Sequence, residues 1–280
     1  MPAPFARLLL ATEHTEFDRG SETLALALAR QAGQPLAVVL PVLSNPEFEM
    51  AAPELAERAD AEAARRREGL QALAQPLGVP LQVHVRHGAE PFAEIVQQAR
   101  TLAADLLVIR RRGRRGLFAN LLVGEMVGKV VAHAPCSVLV SPRGAEMWRR
   151  RVLVGIDPQA PDAATLGQAC ALAAHWELAL HVTCVAPSEE GRAAAQQALQ
   201  AALAQARQRV AAVDGEVRVG RPFQEILGAA QHCGADLIVL ARHRPEAPAR
   251  AWIGGVAQKV IGLAECPVFV HVQPTASTSS

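Results

Sequence analysis

Apolar positions along this chain follow two rhythms. Short runs, continuous or alternating, read as strands, and between them lie longer stretches in which apolar residues recur every three or four positions, as on one face of a helix. Residues 7–12 form the first such strand. "SETLALALARQAG" (21–33) reads as a helix that closes at Gly33. "PLAVVLPV" (35–42) is a second strand, followed by a long helical stretch, and "LQVHVR" (81–86) alternates as a strand does. "PFAEIVQQARTLA" (91–103) is a helix with Pro91 in its first turn. "ADLLVI" (104–109) is a continuous apolar strand of the kind covered on both faces, and "EMVGKVVAHA" and "SVLVSP" add a helix and a strand. This βαβαβαβαβ order predicts an α/β fold, a parallel sheet with helices on both faces. Such sheets bind ligands beyond the carboxyl ends of their strands.

The pattern is then written a second time. "GAEPFAEIVQQARTLAADLLVIR" (88–110) matches "GRPFQEILGAAQHCGADLIVLAR" (220–242), with Pro91-Phe92 on Pro222-Phe223 and Asp105 on Asp236. "RLLLATE" (7–13) matches "RVLVGID" (151–157), and "APCSVLVSP" (134–142) matches "AECPVFVHV" (264–272). The repeat is a whole domain, so two domains are expected, 1–143 and 149–272. "RGAEMWRRR" (143–151) joins them, and a polar tail at 273–280 is expected to fray.

Composition narrows the function. Half of the 280 residues are hydrophobic but aromatics make only 4 %, so the cores must be built from Ala, Leu and Val. Net charge is +1, which gives no global basis for binding nucleic acid. The five cysteines are scattered and form no CxxC, so reduced core thiols in a cytoplasmic protein are expected, with no disulfide. The start of the chain lacks the pattern of a signal peptide, and no run of apolar residues is long enough to span a membrane. His84 and His87 fall on opposite faces of their strand, and no histidine group has metal-ligand spacing, so no metal is expected. No Gly-x-Ser-x-Gly elbow is present, and no base is evident beside Cys136 or Cys266, which read as packed thiols.

The concentrated chemistry is "VIRRRGRRGLFANLLVGE" (108–125), where five arginines follow an apolar strand. This loop, the stretch "LLVGEMVGKVVAHAPCSVLV" after it, and "ADLIVL…WIGGVAQKVIGLAECPVFVHV" in the second half resemble the universal stress protein family in its tandem form. The resemblance implies two domains, each a five-stranded parallel sheet in the order 3-2-1-4-5 with helices on both faces. It also implies a possible adenine-nucleotide site, since ATP-binding members carry Gly-x-x-Gly, a spacer, then Gly-Ser or Gly-Thr opening a helix, with an aspartate after the first strand.

Both copies depart from that motif. In the first, Arg110 stands at the first glycine and Gly113 at the second, with Arg112 and Arg114 beside it. Gly124 lies one residue further on than usual, Glu125 replaces the Ser/Thr and Glu13 the aspartate. In the second, Ala241 and Arg244 stand at the glycines, Gly254 keeps its spacing, Gly255 replaces the Ser/Thr, and Asp157 is retained. Trp252 lies in the second loop, which Pro245 and Pro248 stiffen. The first copy is the one expected to bind nucleotide if either does, its arginines clamping phosphate. The competing readings are a solvated loop with arginines paired to Glu13 or Glu125, and an acidic protein partner. The resemblance implies a stress-response regulator acting through protein contacts, with an unknown partner, with ATP or AMP left open as ligand and a homodimer left open as assembly. It also implies an intramolecular pseudo-dimer in which the two last strands pair. A weak ATPase or nucleotidyl transferase, and a ligand-free interaction module, are the alternatives.

Overall fold

The computed structural model describes residues 4–44, 50, 53–111, 124–242 and 253–273. These fold into two compact units, one drawn from Phe5–Arg112 and Glu125–Met147, the other from Trp148–Gln273. They are called the first and second domains below.

The first domain runs β1 (Leu8–Ala11), α1 (Arg19–Ala32), β2 (Leu36–Leu43), α2 (Pro53–Ala74), β3 (Leu81–Gly88), α3 (Pro91–Thr101), β4 (Leu106–Arg110), α4 (Glu125–His133) and β5 (Ser137–Ser141). All pairings are parallel, in the order β3-β2-β1-β4-β5. The second domain repeats this with β6 (Arg151–Ile156), α5 (Ala163–His175), β7 (Ala179–Ala186), α6 (Arg192–Ala206), β8 (Val213–Val219), α7 (Pro222–Cys233), β9 (Leu237–Ala241), α8 (Gly255–Leu263) and β10 (Val268–His271). Its order, β8-β7-β6-β9-β10, is the same 3-2-1-4-5. Right-handed crossovers put the first two helices of each domain on one face and the last two on the other, where α3 packs on α4 and α7 on α8.

The central strands carry the cores. Leu8, Leu9 and Leu10 of β1 and Leu106, Leu107, Val108 and Ile109 of β4 are buried, as are Val152, Leu153 and Val154 of β6 and Leu237, Ile238, Val239 and Leu240 of β9. Each large side chain among them contributes about 1.5–3 kcal/mol by leaving water. The helix ends follow local chemistry. Gly33 closes α1 at φ 62°, its N–H bonding back into the last turn, and Gly234 closes α7 at φ 69°. Pro91 and Pro222 open α3 and α7, where a missing N–H costs nothing.

The repeated aspartates have a structural task. Asp105, just before β4, accepts hydrogen bonds from the backbone N–H groups of Ala6 and Arg7 at the entrance to β1, at 2.8–3.1 Å. Asp236 accepts from Arg149, Arg150 and Arg151 at the entrance to β6, at 2.7–2.9 Å. Backbone donors that precede ladder pairing are thereby satisfied. Among the described residues no helix is long and apolar enough to cross a membrane.

Candidate functional site

At the carboxyl end of the second sheet, β6 delivers Asp157, whose carboxylate accepts the Gln159 N–H at 2.9 Å. Gly254 stands at φ 90°, ψ 136°, a conformation open to glycine, and turns the chain into α8. The first intrahelical bond runs from the Gln258 N–H to the Gly254 carbonyl, so the N–H groups of Gly255, Val256 and Ala257 have no acceptor within the helix. These residues and Asp157 border a cavity of 440 Å³, walled by Ile156, Val185, Pro187, Ile226, Leu240 and Ile253. That volume suits a small organic ligand. Its polar equipment is a carboxylate at one place and the positive end of a helix at another, with apolar walls between. Among the described lining residues there is no lysine or arginine.

Gly155, in β6, helps shape the cavity. A Cβ there would lie 2.8 Å from a Leu240 methyl and 3.1 Å from one of Ile226. Cys184, across from Ile156 on β7, is pushed up to about 11 by burial and, secondarily, by the Asp157 charge. Cys266 is pushed up to about 12, chiefly by burial. Both are protonated, unreactive thiols at neutral pH, in keeping with packed cysteines.

The corresponding edge of the first domain is chemically different. Arg110, the last residue of β4, donates from Nη2 to Glu13 Oε2 at 2.9 Å. Its Nε lies 3.0 Å from Asp18 Oδ1, a charge contact out of line for a hydrogen bond. The guanidinium is mostly buried, and Asp18 is 1 % exposed. Asp18 is held further by the Thr15 N–H and hydroxyl, at 2.9 and 2.6 Å. Behind it, buried Glu22 accepts from the Thr12 hydroxyl at 2.8 Å and faces His14 Nδ1 at 2.9 Å. A Cβ on Gly69 of α2 would stand 2.5 Å from His14 Nε2, so any larger residue there would displace the imidazole. Among the described residues, three carboxylates, Glu13, Asp18 and Glu22, gather here with the Arg110 guanidinium and the His14 imidazole.

Of the residues singled out from the sequence, Asp157, Gly254 and Gly255 come together at the second cavity. Arg110 and Glu13 come together as an ion pair. Glu125 opens α4, is largely exposed and pairs with Lys129 at 2.9 Å, and Gly124 immediately precedes it. Arg112, Gly113 and Arg114 lie outside the described residues, as do Arg244, Pro245, Pro248 and Trp252. Sequence reasoning missed Asp18, Glu22, Thr12 and His14, and it missed the apolar walls of the second cavity. Among the described residues, no three of His, Cys, Asp and Glu gather as a metal site.

The family model for the universal stress protein family matches residues 4–142 and again 149–271. The universal stress protein in QAH/OAS sulfhydrylase 3'region of Thermus aquaticus is 35 % identical over 143 residues, covering 49 % of this chain and 98 % of its own. Universal stress protein Sll1388 of Synechocystis is 32 % identical over 151 residues, covering 49 % of this chain and 97 % of its own. Each relative thus matches about half of this chain. Among solved structures, a universal stress protein from Archaeoglobus fulgidus superposes with a TM-score of 0.70 at 20 % identity, covering 97 % of both chains. The Pseudomonas aeruginosa protein PA1789, described as functionally unknown, gives 0.68 at 17 %, covering 95 % of this chain and 92 % of that one. Those two likenesses concern the fold. With the family pattern matched twice along its length, the chain belongs to the universal stress protein family as a tandem of two domains.

Proposed function

We propose that this tandem universal stress protein is a cytoplasmic stress-response regulator that acts through protein contacts and is tuned by an adenine nucleotide bound in its second domain. The observation that carries the reading is the cavity bordered by Asp157 and the start of α8. The Asp157 carboxylate suits ribose hydroxyls as donors. The free N–H groups at Gly255 and Val256 suit a phosphate, and the apolar wall at Val185, Pro187 and Ile226 suits a base. The earlier expectation favoured the first copy. The pairing of Arg110 with Glu13 and Asp18 weighs toward the second instead.

Calorimetry with ATP, ADP, AMP and cyclic AMP, with and without magnesium, tests this. One site per chain is expected, with affinity reduced tenfold or more by Asp157→Ala, about 1.4 kcal/mol. No binding by any of the four overturns the nucleotide reading, and turnover of ATP in the same samples would make the protein an enzyme. The pairing of the two last strands, expected from the resemblance, belongs to the same proposal. Efficient disulfide crosslinking between cysteines introduced at Leu139 and Phe269 would support it.

A further inference from the structure

The two domains place the same backbone at two strand ends and fill it differently. Counted from the repeated starts at Arg7 and Arg151, Glu13 corresponds to Asp157 and Asp18 to Asp162. At the ends of the paired strands, Arg110 corresponds to Ala241. In the second domain Ala241 is one wall of the open cavity, and no guanidinium of the described residues pairs with Asp157, which accepts the Gln159 N–H. Asp162 there does what its position at a helix start dictates. It accepts the Ala164 and Thr165 N–H groups at 2.9 and 3.3 Å and caps α5. In the first domain Asp18 stands at the same helix start but makes no side-chain cap. Its carboxylate is turned to Thr15 and to the Arg110 Nε. A helix start has thus given up its capping carboxylate, and that carboxylate stands against an arginine anchored on the neighbouring strand.

We infer that Arg110 is the resident occupant of the first domain's strand-end site. Its tethered guanidinium bridges Glu13 and Asp18, so among the described residues of these two matching strand ends only the second stands open to a ligand. A planar guanidinium can address two carboxylates at once, from Nη2 and from Nε, which a lysine ammonium cannot do in this geometry. Because the partners are buried or half-buried and Asp18 is no longer solvated, the arginine is required for the fold of this edge as well as for closing it. The inference rests on the second-domain cavity being the ligand site, but its first test needs no nucleotide.

That test is chemical rescue of Arg110→Ala by methylguanidinium. The variant should lose roughly 5 °C or more of melting temperature. About 20 mM methylguanidinium should restore at least half of the loss while leaving the parent unchanged, because the ion binds only where the site has been vacated. Arg110→Lys should remain destabilised. Should Arg110→Ala not fold, Arg110→Gln combined with Glu13→Gln and Asp18→Asn removes both carboxylates that the guanidinium bridges and gives the same comparison, which methylguanidinium should no longer rescue. A variant that melts with the parent, or one that methylguanidinium shifts no more than the parent, overturns the inference. The second arm moves the occupant. Ala241→Arg should lower AMP affinity tenfold or more with the fold intact, and unchanged affinity in a protein that does bind AMP counts against the inference. If the parent binds no nucleotide at all, the proposed function fails, while the rescue experiment still decides the role of Arg110.

Discussion

The carboxyl edges of the two sheets are built on one plan and do opposite things with charge. In the first domain, Thr12, His14 and Glu22 form a buried polar network behind the Arg110 ion pair. At the corresponding positions the second domain has Ile156, Pro158 and Leu166, and there a cavity opens. The central strands differ little in apolar character, so the fold does not depend on which version is present. Duplication has left the cores alike and let the edges diverge, one toward self-satisfaction and one toward vacancy. Charge that is matched internally is unavailable to a ligand, whereas an apolar space beside one carboxylate and a helix start is available.

The sharpest way to break this comparison is to exchange its buried side chains. Leu166, 3 % exposed, stands where the first domain has Glu22. Leu166→Glu would bury a carboxylate where Ile156 and Pro158 stand in place of the threonine and the histidine that meet Glu22. The expected loss is about 4 kcal/mol or more. Hydrogen exchange should show the loss in β6 and β9 while β1 and β4 stay protected. The reverse exchange, Glu22→Leu, strands the Thr12 hydroxyl and the His14 ring and should cost about 1–3 kcal/mol in the first domain only. Equal, small effects for both exchanges would mean that the two edges are interchangeable and that the polar network is incidental.

A second test sharpens the claim that the open edge is shaped by backbone. Gly254 holds φ 90° at the entrance to α8, where a side chain is strained. Gly254→Ala should destabilise the second domain by about 1–3 kcal/mol. It should also reduce nucleotide affinity, because the N–H groups of Gly255 and Val256 would be re-aimed. Denaturant midpoints and calorimetry on the same samples separate the two effects. Lost stability with unchanged affinity would remove the helix start from the site.

The order of elements was legible in the sequence because periodicity is a local property, and both sheets contain the strands expected. Gly33 and the two proline helix starts were legible for the same reason. The repeated Asp105 and Asp236 were visible as a pair, but their task was not, since it requires knowing that β4 lies beside the entrance to β1. The Arg110 ion pair with Glu13 was one of several pairings the charges allowed, across 97 positions of chain. Nothing in the sequence marks Asp18 and Glu22, which lie at a helix start, as buried. They are buried because α1 presses that turn against the strand exit. The second cavity is not legible in the sequence because its walls come from five separate stretches, whereas five arginines within six residues are visible without any fold. Of that arginine loop, Arg112, Gly113 and Arg114 lie outside the described residues.

The smallest expected effect, and the most specific, is on pH dependence. His271 ends β10 where Ser141 ends β5. Burial pushes the His271 imidazole below its ordinary value of 6.5, and the nearby Asp162 charge only partly opposes this. A base that is harder to protonate in the folded state than in the unfolded one binds fewer protons when native. Its contribution to stability is therefore fully present above about pH 6.5 and is lost as pH falls through the lowered folded value. Asp162 follows the same sign in a lower window. Burial works to raise it, but the hydrogen bonds from the Thr165 hydroxyl and from the Thr165 and Ala164 N–H groups hold it below its ordinary 3.8, so its contribution fades in stronger acid. The second domain should accordingly lose stability as pH falls below about 6.5. His271→Ser, which copies the first domain, should flatten that limb and leave the more acidic one in place. Urea midpoints for β10 amides measured by hydrogen exchange across this range give the comparison directly. A parent protein with no loss of stability as pH falls below about 6.5 until the carboxylate range, or a loss that survives His271→Ser, would assign the acid sensitivity to groups other than His271.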